Sequence, residues 1–281
     1  QKVAKFKGQD LFTGWSQIDM PEFLLIVIDC FHNSIKRSVQ MTIRGKVHNS
    51  KDRLAKACYE MMKTMYKEEY SEFIGLFYGI HVSHLMSVCE DGEEEQNKNS
   101  SELLSFTPEP FSTLNLPIPP SIKRGQNISL LDCIELYTAS ERMEGDCGWY
   151  NEKTKERQDV DKRIVFWNLP QILIIVLKRF SVMGDKKTQQ LIDFPLEQLD
   201  LSKYVYGYNK HSYVYNLYGI CNHYGNVMGG HYTAFTKNAN GKWHLYNDTT
   251  VVEVGDISKL VSPAAYCLFY RKCNPSELNK Q

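Results

Sequence analysis

The sequence lacks three features that would assign it to a particular class of protein. Its longest apolar runs, residues 23–28 and 172–177, have the length of a strand or a buried helix and are too short to cross a membrane. Lys+Arg and Asp+Glu are balanced at 33 each, so no net field favours nucleic acid or an anionic membrane as a partner. None of the eight cysteines belongs to a Cys-x-x-Cys pair. Free thiols are typical of a reducing compartment, so we predict an intracellular protein.

The 281 residues are 42% hydrophobic, which is enough to bury a sizeable core. Apolar residues at helical spacing after a capping residue predict a largely buried helix over residues 21–35. A second, amphipathic helix is predicted over 52–70, with an inner face of Leu54, Ala57, Cys58, Met61, Met62 and Met65. Residues 73–88 are interpreted as one or two strands broken by glycines, and 109–119 as an extended strand closed by prolines. Residues 129–137 are predicted to form a short helix with a serine as its N-terminal capping residue.

From about residue 160 the sequence changes to short β-prone runs separated by glycine, asparagine and charged residues. These runs are 165–168, 172–180, 213–223, 231–237, 243–248 and 265–272. No internal repeat and no clear linker divides the chain. The order of elements predicts an α+β protein, in which a helical N-terminal half packs on an antiparallel C-terminal sheet.

The segment Gly-Gly-His-Tyr-Thr at 229–233 contains the candidate catalytic group, His231. The polar residues 236–242 predict a hairpin turn between this β-prone run and the next one, which ends in Asn247 and Asp248. Pairing of the two strands would bring Asn247 or Asp248 beside His231. A histidine oriented by a carboxamide or a carboxylate is the base half of a nucleophilic triad.

Two other histidines compete with this interpretation. His223 lies eight residues before His231, and His244 lies within the second strand of the predicted hairpin. A lone histidine on a strand is more often a structural group than a catalytic one, so spacing alone does not decide among the three.

Four sets of residues then fall into one order along the chain. They are Gln17, Asp19 and Glu22-Phe23-Leu24; Glu109-Pro110-Phe111 with residues 114–119; residues 169–180; and the histidine segments 222–225, 229–234 and 243–248. In this order they resemble the catalytic domain of the ubiquitin-specific proteases, cysteine peptidases that cleave ubiquitin from its conjugates. The resemblance implies a papain-like fold of thumb, palm and fingers in one domain. It places thumb helices in 1–72, fingers and connecting segments in 73–168, and the palm sheet with the histidine box in 169–281.

The resemblance also implies a role for each histidine-box residue. His231 matches the general base, Asn247 matches the residue that orients it, and Asp248 lies beside that pair. His223 falls in the loop before the base, where it would be structural or would face the substrate. An asparagine orients the ring without adding a full charge.

The substrate side of the site is implied in the same way. Gln17 and Asp19 match positions that contact the arginine-bearing tail of ubiquitin, and a carboxylate facing a guanidinium is a charge-assisted pair. An alternative for Asp19 is a plain helix cap, and the two roles are compatible. Gly229 and Gly230, with Tyr232 beside them, would line a channel wide enough only for a Gly-Gly terminus.

The sequence departs from the family at the nucleophile. The Gly-Asn-Thr-Cys-Tyr box expected well upstream of Gln17 is missing, and none of the eight cysteines has the right neighbours. Because the chain starts at Gln1 rather than methionine and keeps His231 and Asn247, we expect the nucleophile upstream of Gln1. The alternatives are a catalytically silent ubiquitin-binding scaffold and a hydrolase for a ubiquitin-like modifier.

A second departure concerns zinc. Many family members hold a structural zinc on two Cys-x-x-Cys pairs, but the corresponding places here contain only Cys89 and Cys147, with His81 and His84 nearby. A tetrahedral zinc needs four properly spaced ligands, so we predict no metal and no cofactor. The expected partners are ubiquitin and ubiquitinated proteins, without nucleic acid or membrane.

Overall fold

The structure, a computed structural model, describes residues 17–88, 103–120, 127–152, 154–181 and 186–274. Its helices are α1 (Met20–Ile35), α2 (Ser50–Glu69), α3 (Glu72–Phe77) and α4 (Leu130–Thr138). Its strands are β1 (Gly79–Ser87), β2 (Leu103–Phe111), β3 (Leu114–Leu116), β4 (Ile128–Ser129), β5 (Glu141–Met143), β6 (Trp149–Asn151), β7 (Glu156–Gln158), β8 (Val160–Asn168), β9 (Ile172–Leu177), β10 (Ile192–Asp193), β11 (Leu199–Asp200), β12 (Val214–Asn226), β13 (Gly229–Lys237), β14 (Trp243–Asn247), β15 (Thr250–Glu253) and β16 (Ala265–Lys272).

Helix α1 has a proline in its first turn, as the sequence predicts, but it is not largely buried. Its buried residues are Pro21, Ile28 and His32. Phe23 and Phe31 are 51% and 53% exposed. The prediction was wrong because apolar residues occupy every side of this helix, whereas a helix lying on a sheet buries one face.

Helix α2 begins after Asn49, whose side-chain oxygen accepts a hydrogen bond from Asp52 N at 2.8 Å. Its buried residues are Leu54, Ala55 and Cys58. The prediction of Leu54 and Cys58 is confirmed, whereas Ala55 rather than Ala57 lies on the buried face. These side chains pack against strands β1 and β8.

Residues 72–77 correct the prediction of one or two strands over 73–88. Only β1 is a strand there, and α3 precedes it. Phe73 and Phe77 lie four residues apart on α3 and stack at 5.9 Å, and Phe73 also stacks on Phe31 of α1 at 5.5 Å. Aromatic residues favour strands by propensity, but stacking at this spacing requires a helix.

A four-stranded sheet has the order β2-β1-β8-β5, with every pair antiparallel. It corrects the prediction of one extended strand over 109–119, because β2 ends at Phe111 and β3 belongs to the larger sheet. Beyond it, β6 and β7 form a separate antiparallel pair. The four-stranded sheet packs against α2, and its strand β8 leads into β9 of the larger sheet.

The larger sheet has the order β15-β14-β13-β12-β16-β9-β3, and β11 pairs with β12. Its neighbours are antiparallel except for β3 with β9. Leu173, Ile175 and Leu177 of β9 enter the core on one face, and Ile174 and Val176 enter the core on the other, where α1 packs. Burial on both faces explains why this strand is continuously apolar.

Helix α4 closes the first face of this sheet. A capping box joins Ser129 and Asp132, since each side chain bonds the backbone N–H of the other residue. The predicted short helix and the α+β architecture are therefore confirmed. None of the helices that the structure describes combines the length and apolar character needed to cross a membrane.

Candidate active site

The hairpin of β13 and β14 brings the two predicted catalytic residues together. The strands pair antiparallel in the register Ala234 with Tyr246, and the loop between them is closed by Asn238 N donating to Lys242 O at 2.9 Å. His231 precedes the paired segment on β13, and Asn247 is the last residue of β14. Their side chains meet with His231 Nε2 at 2.6 Å from Asn247 Oδ1.

This contact determines which ring nitrogen of His231 carries the proton. A carboxamide oxygen only accepts, so Nε2 must be the N–H and Nδ1 the acceptor in the neutral ring. Within the described part of the chain, Nδ1 has no hydrogen-bond partner. The side chain is 49% exposed, which leaves Nδ1 accessible to a proton donor approaching from outside.

Asp248 lies close to the ring without bonding it. Its Oδ2 is 4.0 Å from His231 Nε2, beyond hydrogen-bond distance, and its side chain is 78% exposed. Its φ of 49° is left-handed, which aspartate tolerates better than most residues. The structure therefore brings Asn247, rather than Asp248, into contact with His231.

His223 is part of β12 and not of a loop, which corrects the prediction for this residue. The β12–β13 pairing continues to Asn226, and His223 lies opposite Tyr232. The ring is 4% exposed and contacts Phe180, Tyr232 and Tyr266. Burial and the nearby Lys187 charge lower the pKa of His223, so the ring is held neutral.

The position of His244 argues against it as the catalytic histidine. Its Nδ1 lies 3.1 Å from Asn238 Nδ2, within the hairpin loop at the other end of the strand pair from His231. The side chain therefore stabilises the turn that aligns the two strands.

The glycine pair is needed for a reason that differs in part from the predicted one. A Cβ on Gly230 would overlap His223 Nε2 and the carbonyl oxygen of Tyr224, and a Cβ on Gly229 would overlap the side chain of Gln17. Gln17 Oε1 also accepts from Gly230 N at 2.8 Å. These glycines thus give space first to the protein's own side chains. They line one wall of a cleft of about 250 Å³.

Asp19 and Tyr232 form another wall of this cleft. Asp19 occupies the N-cap position of α1, as the alternative predicts, but its side chain makes no capping hydrogen bond. Its two oxygens accept from Tyr232 OH and Tyr266 OH, both at 2.9 Å. Burial raises the pKa of both phenols, and the Asp19 charge raises them further. Sequence reasoning did not include Tyr266, which no local motif marks.

Most of the described cysteines are buried. Cys58, Cys133, Cys221, Cys267 and Cys273 are buried, Cys30 is half-buried and Cys147 is exposed. Burial raises the pKa of Cys58 and Cys221 to about 12 and that of Cys133 to about 11. Buried thiols of this kind stay protonated at neutral pH. Cys89 lies outside the described residues.

Of the residues near the positions of the family's zinc ligands, the structure describes His81, His84 and Cys147 but not Cys89. No three or more His, Cys, Asp or Glu side chains among them are arranged to hold a metal. His81 is 3.3 Å from Glu109 across the β1–β2 pair, and His84 is buried on β1. Cys147 lies in an exposed turn.

Comparisons with known proteins agree with the motifs. The family model described as ubiquitin carboxyl-terminal hydrolase matches residues 1–270. Human ubiquitin carboxyl-terminal hydrolase 2 is 33% identical over 271 residues, which cover 94% of this chain and 42% of that protein. Ubiquitin carboxyl-terminal hydrolase 15 of Rattus norvegicus is 42% identical over 149 residues, covering 52% of this chain and 15% of that protein. The chain thus spans less than half the length of these relatives.

A solved structure confirms the fold. The SAGA Ubp8/Sgf11/Sus1/Sgf73 DUB module bound to ubiquitin aldehyde matches with a TM-score of 0.66 at 24% identity, over 96% of this chain and 52% of that chain. At this identity the likeness shows the papain-like α+β fold of a ubiquitin-specific protease. Together with the family model over residues 1–270, it establishes that the chain belongs to the ubiquitin carboxyl-terminal hydrolase family.

Proposed function

We propose that this chain forms the histidine-bearing part of a thiol-dependent deubiquitinase. The reaction is hydrolysis of the isopeptide or peptide bond after the C-terminal glycine of ubiquitin. The observation that supports it most directly is the 2.6 Å contact between His231 Nε2 and Asn247 Oδ1 beside the glycine-lined cleft. A base held in one tautomer by an amide is the arrangement that activates a thiol.

In this mechanism the nucleophile is a cysteine upstream of Gln1. His231 Nδ1 takes the thiol proton, and the thiolate attacks the carbonyl carbon of the terminal glycine of ubiquitin. As the tetrahedral intermediate collapses, the imidazolium gives the proton to the leaving lysine amine and a thioester remains. His231 then removes a proton from a water molecule that attacks the thioester, which releases ubiquitin and restores the thiol.

The cleft supplies the proposed path for the ubiquitin tail. Gln17, Asp19, His223 and Tyr232 line it together with Gly229 and Gly230. The Gly230 amide and the Gln17 carboxamide now bond each other, and both are suitable partners for an extended peptide. Asp19 remains an acceptor for an arginine of the tail, because each carboxylate oxygen accepts more than one hydrogen bond.

The division of the chain follows from the same proposal. We assign 1–72 to the thumb, 73–168 to the fingers and connecting segments, and 169–281 to the palm. The four-stranded sheet lies entirely within the second range, and all strands of the eight-stranded sheet except β3 lie within the third. Ubiquitin and ubiquitinated proteins are the proposed partners, in the cytoplasm or nucleus.

One observation favours a second candidate, a ubiquitin-binding scaffold without activity. None of the described cysteines hydrogen-bonds His231, and the thiols with resolved pKa shifts are shifted upward. A chain without a nucleophile would bind the tail in the same cleft and leave the bond intact.

His231→Ala in the full-length protein tests the proposal. Loss of the general base should lower cleavage of an isopeptide-linked ubiquitin at least ~100-fold, while ubiquitin binding stays within about twofold. His244→Ala is the matched control, since this ring bonds the hairpin loop, and it should keep most of the activity. Undiminished cleavage by His231→Ala would refute the assignment, and binding without cleavage by the wild-type protein would establish the scaffold.

A further inference from the structure

A second cleft, of about 450 Å³, lies where the chain leaves β9. Its described lining includes Lys178, Arg179, Lys186 and Lys187, and it includes no aspartate or glutamate. A cleft of this volume falls in the range of small-ligand sites. In a chain with balanced net charge, four cations around one cleft form a local positive field that the overall composition conceals.

Arg179 is the buried charge of this cleft, with only 1% of its surface exposed. Its Nε donates to Ala265 O at 2.6 Å, and its Nη1 donates to Gln190 O at 2.8 Å and to Thr188 O at 3.3 Å. Its Nη2 has no hydrogen-bond partner among the described residues. Carbonyl oxygens satisfy donors but do not neutralise a charge, and no described carboxylate pairs with this guanidinium. A buried cation left in this state is costly.

Lys187 adds a second partly buried cation next to the first. Its Nζ donates to His223 O at 2.6 Å and lies 5.9 Å from the ring centroid of Phe180. Burial lowers the pKa of Lys187, and the charge of Arg179 lowers it further. Each cation therefore raises the electrostatic free energy of the other, and an anion between them would lower both.

We propose that this cleft binds an anion of the phosphate class, with Lys178, Lys186 and Lys187 as its contacts and Arg179 as the buried charge beneath. A phosphate monoester fits better than a carboxylate, because it has nearly two negative charges and three acceptor oxygens for several cationic groups. The cleft of about 450 Å³ has room for a phosphate group and for a further moiety attached to it. The site uses neither His231 nor Asn247, and it stands independently of the proposed hydrolase activity.

Calorimetric titration of the full-length protein with inorganic pyrophosphate at constant ionic strength tests the site. We expect saturable binding that weakens by roughly tenfold in the double variant Lys178→Ala/Lys186→Ala, which removes two exposed charge contacts. The matched control Lys67→Ala/Lys259→Ala removes two exposed lysines elsewhere and should bind as the wild type does. Absence of saturable binding, or equal loss in the two double variants, would overturn the proposal.

Competition then distinguishes the source of the phosphate group. A phosphoserine peptide that displaces pyrophosphate better than free O-phosphoserine would indicate a phosphorylated protein segment. Equal or weaker displacement would indicate a small phosphorylated ligand, and either result supports the site. Equal displacement by the unphosphorylated peptide would contradict it.

Discussion

At the scale of single residues, a neutral acceptor orients His231. The oxygen of Asn247 fixes the ring and its tautomer, whereas an aspartate at the same place would also add a negative charge. Asp248, at 4.0 Å and mostly exposed, contributes through the solvent-screened field only.

Substitutions of Asn247 and Asp248 show which of the two residues orients His231. Asn247→Ala in the full-length protein should lower kcat by about 100-fold, because the base loses its orientation, and leave KM within about twofold. Asn247→Asp should recover part of kcat, since it restores an acceptor oxygen. Steady-state hydrolysis of a fluorogenic ubiquitin C-terminal amide measures both constants.

Asp248→Asn is the control for this pair of variants. Asparagine tolerates the left-handed backbone at this position, so the turn should be kept, and activity should stay near that of the wild type. A loss as large as that of Asn247→Ala would show that Asp248 is the orienting residue.

At the scale of elements, Asp19 joins α1 to the palm sheet. Its carboxylate bonds one tyrosine on β13 and another on β16, so a single side chain fixes the helix N-terminus against two strands. Helix α1 also buries Ile28 in the core beneath it, although Phe23 and Phe31 of the same helix are exposed. We infer that this carboxylate is important for the position of the cleft wall.

Asp19→Ala should therefore lower the free energy of unfolding by roughly 2 kcal/mol, because two half-buried phenol hydroxyls lose a charged acceptor. Asp19→Asn, which keeps one acceptor oxygen, should lower it by less. Urea denaturation measures both. Glu22→Gln, an exposed change in the same helix turn, should stay within about 0.5 kcal/mol of the wild type. A loss from Glu22→Gln equal to that from Asp19→Ala would show that the tyrosine contacts are not the cause.

The elements that could be predicted from the sequence are those determined by local signals. The β13–β14 hairpin follows from two β-prone runs around a polar turn, and α4 follows from the serine that leads it. Helix α3 was missed because its aromatic residues favour a strand by propensity, and only contact with α1 selects the helix. The exposed face of α1 was missed for the same reason, since burial depends on what packs against the helix.

The candidate site shows the same difference between contacts set by local sequence and contacts between distant residues. His231 and Asn247 were predictable together because they lie 16 residues apart across one hairpin. Asp19 and Tyr266 lie 247 residues apart and meet only when the whole sheet has formed. His223 ends the predicted β-prone run 213–223, and the resemblance placed it in a loop, but β12 continues to Asn226, with Gly225 at a φ of 127° paired to Gly230.

At the scale of the whole molecule, the N-terminus of α1 and the larger sheet meet at the cleft beside His231. The described chain provides the proposed base, the amide that contacts it and a glycine-lined wall. Its buried cysteines are structural, because desolvation keeps the thiol protonated. The proposed hydrolysis requires a reactive cysteine, for which we propose a position upstream of Gln1 in the full-length protein.

Covalent trapping is the most direct test of where the nucleophilic cysteine lies. The full-length protein is incubated with ubiquitin that has a thiol-reactive electrophile in place of its C-terminal carboxylate, and the adduct is located by peptide mass spectrometry. We predict one adduct, on a cysteine upstream of Gln1, whereas Cys30, Cys58, Cys89, Cys133, Cys147, Cys221, Cys267 and Cys273 stay unmodified. An adduct on one of these eight cysteines, or no adduct at all, would contradict the proposed mechanism.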